Sequence, residues 1–225
     1  MAVPAFLFVG VFMNEVGLTD RLFTGGEAWI GHFTGGLAHA NVLASMIFAG
    51  MSGSALADAG GLGTIEVKTM RDAGYQDEFT VAVTAASSVI GPIIPPSINF
   101  VMWAFLSGTS TMAMFMAGIV PGALCGIMLM IWCYISIKFL GVKAPKSRKY
   151  TWKERWKATW HAIPAVLGPA VLIAGIMSGA FTPTECGVVA AAFCVAVAIG
   201  VKRFNFDMLL RALCGSISSA AMVMA

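Results

Sequence analysis

Between Thr111 and Ile137 the chain carries no charged side chain. At about 1.5 Å per residue, a helix of that length exceeds the roughly 30 Å hydrocarbon core of a bilayer. The rest of the chain is built alike: 58% of its 225 residues are hydrophobic and 11% are charged, against roughly a quarter charged in soluble domains. Mean hydropathy is +0.83. These features specify an all-α membrane protein, a polytopic helical bundle, because backbone in lipid must satisfy its own hydrogen bonds.

Composition also removes several function classes. Cys125, Cys133, Cys186, Cys194 and Cys214 lie in apolar segments with no CxxC pair, so they read as small packing residues and not as a disulfide framework or zinc site. His32, His39 and His161 are not at metal-ligand spacing. A formal charge of +3 is too small to indicate a nucleic-acid partner. The opening "MAVPAFLFVGVFMNEVG" has no basic region before its apolar run, so it is read as part of a span and not as a cleaved leader.

The basic residues set the topology. Eight of the fourteen Lys and Arg residues fall in 138–157, which places that loop on the cytoplasmic side. From it, residues 161–181 cross outward, Thr182 to Glu185 turn, and residues 186–201 return to Lys202 and Arg203. Thr182, Thr184 and Glu185 are expected to cap the returning helix. Trp152, Trp156 and Trp160 recur every fourth residue among lysines, which predicts an amphipathic arm anchored at the interface.

Two interruptions stand out against this pattern. In 79–107 the sequence "SSVIGPIIPPSINF" places Gly91, Pro92, Pro95 and Pro96 in mid-crossing, where missing N–H groups forbid a continuous helix. The crossing is expected to be two half-helices joined by extended chain. Earlier, residues 39–63 lie between an inward first span, 1–18, and a charged cytoplasmic connector, Glu66 to Phe79. They begin and end on one side. The reading is a re-entrant helical hairpin, with Ala38 to Met51 entering, Ser52 to Ser54 turning and Ala55 to Leu62 leaving, since helices of about 12 residues reach about 18 Å.

The chain therefore divides into an inward span and amphipathic connector (1–38), the hairpin (39–63), the connector and broken helix (64–110), the long span (111–140), the basic Trp arm (141–160), and two spans with the start of a further helix (161–225). Broken helices offer carbonyls from helix C-termini to cations and N–H groups from helix N-termini to anions. The candidate ion and substrate site comprises Ser52, Gly53, Ser54, Asp58, Ser87, Ser88, Gly91, Pro92, Pro95, Pro96 and Ser97. Asp58 enters because an ionisable residue within a membrane segment marks a function by default. Small residues and proline kinks also serve ordinary helix packing, which explains either break alone better than it explains both together.

The segments "GGLAHANVLASMIFAGMSGSALADAGGLGTIEVKTMRDAGY", "GPIIPPSI", "AGIVPG" and "FTPTE" closely resemble the DctM-type large membrane subunit of tripartite ATP-independent periplasmic (TRAP) transporters. The resemblance runs in order along nearly the whole chain. It implies a sodium-driven importer of organic acids in the bacterial inner membrane, with Na+ as coupling ion and no organic cofactor. The implied partners are a small four-helix DctQ-type membrane subunit and a DctP-type periplasmic binding protein that delivers an organic anion. It further implies an elevator mechanism built on two inverted repeats, each with a re-entrant hairpin and a broken helix, and sodium where the two meet. Carried over, that junction is Ser52 to Ser54 with Gly91 to Ser97. Family members are roughly twice as long, so this sequence corresponds to one half of the site.

Two alternatives stay open at this level. "GMSG", Gly50 to Gly53, matches the GxSG nucleophile pattern of rhomboid-type intramembrane serine proteases, which need a histidine within reach of the serine. A non-transporting assembly fragment that docks through the Trp arm is the other.

Overall fold

The computed structural model describes residues 2–145, 150–178, 181–201 and 203–224. Lys146, Arg148, Lys149 and Lys202, which enter the orientation argument, lie outside the described residues. Every regular element among the described residues is helical.

Helix α1 (Ala2–Val16) ends at Gly17, whose left-handed φ of 72° turns the chain into α2 (Leu18–Ile30). One face of α2, with Leu18, Leu22, Phe23 and Ala28, is buried where it packs against α3 (Gly36–Ser52) and α9 (Trp152–Met177). Helix α3 is the centre of the bundle and touches α1, α2, α6 (Asp77–Ser88), α8 (Thr111–Phe139) and α9. Lipid is as apolar as leucine, so close contact between helices holds such a bundle more than transfer out of water does. A Cβ on Gly50 would lie 3.0 Å from Pro169 of α9, and one on Gly168 would meet the Met51 sulfur.

Helix α8 is apolar all round, and only 22% of its most hydropathic window is buried. Val120, Leu124, Met128 and Trp132 face outward. A soluble core helix of this composition would be covered on every side; this one is built for lipid or for another membrane helix. Helix α9 also meets the length and composition for a span. It is a single helix from Trp152 to Met177, so the Trp arm and the following span are continuous and no joint separates them at residue 160.

The segment after the Ser52–Ser54 turn also differs in detail from a helix that stops at Leu62. One helical turn, α4 (Ala55–Ala57), passes into a π-turn (Asp58–Leu62) and then into α5 (Gly63–Asp72). Gly60 and Gly61 sit inside the π-turn. With no proline between Ser54 and Asp72, the helix is not forced to stop short of Asp72. The break in the next crossing separates α6 from α7 (Ile98–Ser107).

Helix α10 (Pro183–Gly200) starts with a reciprocal cap. The Glu185 N–H donates to the Thr182 hydroxyl oxygen at 3.4 Å, and the Glu185 carboxylate accepts the Thr182 N–H at 2.7 Å. The Thr182 N–H and the Thr182 hydroxyl, which donates to the same carboxylate at 2.8 Å, hold the exposed Glu185 carboxyl below its usual range. Helix α11 (Phe206–Met224) returns along α1. Gly17, Lys157, His161 and Arg203, from three segments that charge assigns to one side, line a single cavity.

Candidate functional site

Helix α3 ends because Gly53 adopts a left-handed φ of 56° and its N–H reaches back to the Ala49 carbonyl at 3.1 Å. Ser54 is extended, and its hydroxyl oxygen accepts the Ala57 N–H at 3.4 Å. This leaves the last carbonyls of α3 without helical donors at the turn. Proline produces the second interruption. Helix α6 ends at Ser88, residues 89–97 are non-helical, and the Pro95–Pro96 peptide is cis. Ser97 starts α7 by accepting the Phe100 N–H at 3.3 Å, and its hydroxyl donates to the Pro92 carbonyl.

The two interruptions touch. The Ile98 N–H, at the N-terminus of α7, points to the Gly53 carbonyl at 3.5 Å. A Cβ on Gly53 would collide with the Pro96 carbonyl oxygen, and one on Gly91 would stand 3.4 Å from the Ser54 carbonyl. The Pro95 carbonyl lies against Gly50. Gly53, Ser54, Gly91, Pro95, Pro96 and Ser97 thus share one contact, with Pro92 tied to it through Ser97. In it the carbonyl end of α3 meets the N–H end of α7, the negative pole of one helix dipole against the positive pole of another.

Ser87, Ser88 and Asp58 belong to an adjoining polar layer between α3, α6 and the π-turn. The Asn41 amide donates to the Thr84 hydroxyl at 2.8 Å, and the Ser87 hydroxyl donates to the Asn41 side-chain oxygen at 2.8 Å. Ser45 donates to Ser87 at 3.2 Å, and Ser88 to the Thr84 carbonyl at 2.8 Å. All of these residues are buried. The candidate set drawn from sequence omits Asn41, Ser45, Thr84 and Glu66. The signal for the first three lay in spacing: Asn41 and Ser45 are four apart on α3, and Thr80, Thr84 and Ser87 follow one face of α6.

Asp58 is fully buried and faces the hydroxyls of Ser45 and Ser88, yet neither of its oxygens completes a hydrogen bond. Both carboxylate oxygens of Glu66, also fully buried, are likewise unpartnered. Among the described residues neither carboxylate has a counter-charge within ion-pair distance, and a buried carboxylate in that state is costly. Beside Ser54 a cavity of about 210 Å³ opens between α1, the π-turn and α11, with Asn14, Gly60 and Ser219 in its wall.

Ser52 stands apart from both groups. It is fully buried against Gly10 of α1 and its hydroxyl has no partner. His39 Nδ1 is itself unpartnered, and His161 Nδ1 bonds to the Lys157 carbonyl at 2.8 Å. No Ser–His pair forms at Ser52, so the geometry does not favour the protease reading.

The family model described as "Tripartite ATP-independent periplasmic transporter, DctM component" matches residues 1–225. The sialic acid TRAP transporter large permease protein SiaM of Vibrio cholerae is 45% identical over 206 residues, covering 91% of this chain and 47% of that protein. The 2,3-diketo-L-gulonate TRAP transporter large permease protein YiaN of Escherichia coli is 38% identical over 225 residues, covering 100% and 52%. The C4-dicarboxylate TRAP transporter large permease protein DctM of Pseudomonas aeruginosa is 38% identical over 203 residues, covering 90% and 47%. The chain spans about half the length of these curated relatives. Its helical bundle, its apolar spans and the family match over residues 1–225 have one conclusion: the chain belongs to the DctM family of large permease subunits of TRAP transporters.

Proposed function

We propose that this chain forms one half of the transport site of a sodium-coupled importer of organic anions in the bacterial inner membrane. Residues 39–63 act as a re-entrant hairpin, and Na+ binds where its turn, Ser52 to Ser54, meets the break at Gly91 to Ser97. The observation that carries this is the contact of the Gly53 carbonyl with the N-terminus of α7. That bond holds the two helix ends together; the other last-turn carbonyls of α3 attract a cation, and the other first-turn N–H groups of α7 attract the carboxylate of the substrate. Asp58, Ser87 and Ser88 in the adjoining layer supply a buried negative charge and hydroxyls that favour the ion.

Sialic acid, 2,3-diketo-L-gulonate and C4-dicarboxylates, the substrates in the relatives' names, are organic acids, which sets the substrate class proposed here. In the sequence the arginine nearest to either break is Arg71, 17 positions after Ser54 and 20 before Gly91, so neither break carries its own clamp for a carboxylate. The substrate is instead held by backbone N–H groups and by the part of the relatives' length outside this chain. Delivery by a DctP-type binding protein, bracing by a DctQ-type subunit and elevator motion of the hairpin-bearing domain complete the reading.

The test is substrate uptake into liposomes by the full-length parent, reconstituted with its small subunit and binding protein. Uptake that requires both an inward sodium gradient and the binding protein is expected. Uptake that proceeds equally in potassium would remove the ion from the mechanism.

A further inference from the structure

The cavity where the start of α2, α9 and the chain after α10 come together has a volume of about 320 Å³ and carries Arg21, Lys157 and Arg203 with Asp20, Glu154 and His161. Among the described residues, none of the three permanent cations is within ion-pair distance of a carboxylate. Glu154 is engaged at the start of α9, where it accepts the Thr151 N–H at 2.7 Å. Arg203 reaches only the Val16 carbonyl, at 3.5 Å. Burial and then the charge of Arg203 lower the pKa of Arg21. Three cations face two carboxylates, Asp20 and Glu154, with which they form no ion pair, so the cavity keeps a positive excess that attracts an anion.

The surroundings say which anion. Around α9 from Lys157, the exposed rings of Trp152, Trp156 and Trp160 form the aromatic belt. Trp152 packs edge-on against Trp29 at 5.9 Å, and the Trp29 indole N–H donates to Thr159 at 2.8 Å. Further along the same helix, on the face of Trp156 and Trp160, Leu167 and Val171 are exposed. A phosphate in the cavity thus has an interfacial aromatic belt beside it and an open apolar helix face leading away from it. A soluble anion uses only the first of these features; a phospholipid uses all three.

We infer that this cavity is a binding site for the headgroup of an anionic phospholipid of the cytoplasmic leaflet, with its acyl chains along α9. The site is independent of the sodium reading. Each basic group near an anionic lipid contributes about fivefold in affinity, so removing two is expected to cost roughly 25-fold.

The experiment is native mass spectrometry of the full-length parent in mild detergent, with phosphatidylglycerol or phosphatidylcholine of matched chains. Wild type is expected to retain phosphatidylglycerol at least about tenfold better than phosphatidylcholine, and Arg21→Gln with Arg203→Gln to abolish that preference. Lys157→Gln, on the exposed side of α9, is expected to lower it about fivefold and serves should the double variant fail to fold. Equal retention of both lipids by wild type, or a preference unchanged in Lys157→Gln, overturns the proposal. So does displacement of phosphatidylglycerol by millimolar inorganic phosphate, which would make the site one for a soluble anion.

Discussion

Replacing Gly53 with valine is expected to reduce sodium-driven uptake by the full-length transporter to the level of protein-free liposomes. Two costs combine at this residue. Its φ of 56° is left-handed, a conformation that costs a β-branched residue about 1–3 kcal/mol. Its side-chain position is occupied by the Pro96 carbonyl oxygen, with Ser97 Cα and the Ile98 nitrogen both 3.2 Å away. The new side chain cannot be accommodated unless the turn and the break separate. Gly108 supplies the control, because its φ of 67° is equally left-handed but nothing lies within 4 Å of its added Cβ. Gly108→Ala is expected to cost only about 1–2 kcal/mol of stability and to leave uptake near wild type. If Gly53→Val transports as well as Gly108→Ala, contact between the two breaks has no part in transport.

The second large effect is expected at Asp58, and it runs in opposite directions for transport and for stability. A buried carboxylate whose oxygens have no partner destabilises an ion-free bundle. Asp58→Asn keeps the shape and removes the charge, so in sodium-free buffer the variant should melt no lower than wild type. Its sodium-driven uptake should fall roughly 10- to 150-fold, the range for losing one charge-assisted contact of about 1.5–3 kcal/mol. Melting curves in sodium-free buffer, paired with uptake assays over a series of sodium concentrations, check both halves. A variant that unfolds while wild type survives would make Asp58 a structural anchor, and one that keeps its sodium response would take it out of the ion site.

How much of this was visible in the order of residues follows from the range of each interaction. Pro92, Pro95 and Pro96 break a helix through their own missing N–H groups, and Gly53 between two serines permits a turn. Such local chemistry can be read residue by residue, and so can the motifs that carry the family resemblance. The contact of Gly53 with Pro96 and Ile98 is tertiary, since it depends on how α3 lies against α7. The same holds for Asn41, whose partners Thr84 and Ser87 are more than forty positions away. Asn41 looks like an isolated polar residue in an apolar run until α6 is placed beside it. The π-turn at Asp58–Leu62 is a subtler case. Gly60 and Gly61 suggest a weak point, and only the packed structure makes it a change of pitch within a helix that runs on to Asp72.

The central claim is that sodium sits between the Ser52–Ser54 turn and the Gly91–Ser97 break. Cryo-electron microscopy of the full-length transporter, with maps determined in sodium chloride and in choline chloride under otherwise identical conditions, tests it most directly. A compact density in contact with backbone oxygens of both segments, present in sodium and absent in choline, is the predicted result. The same density in choline, or none there in a sodium map that resolves the surrounding carbonyls, would contradict the account.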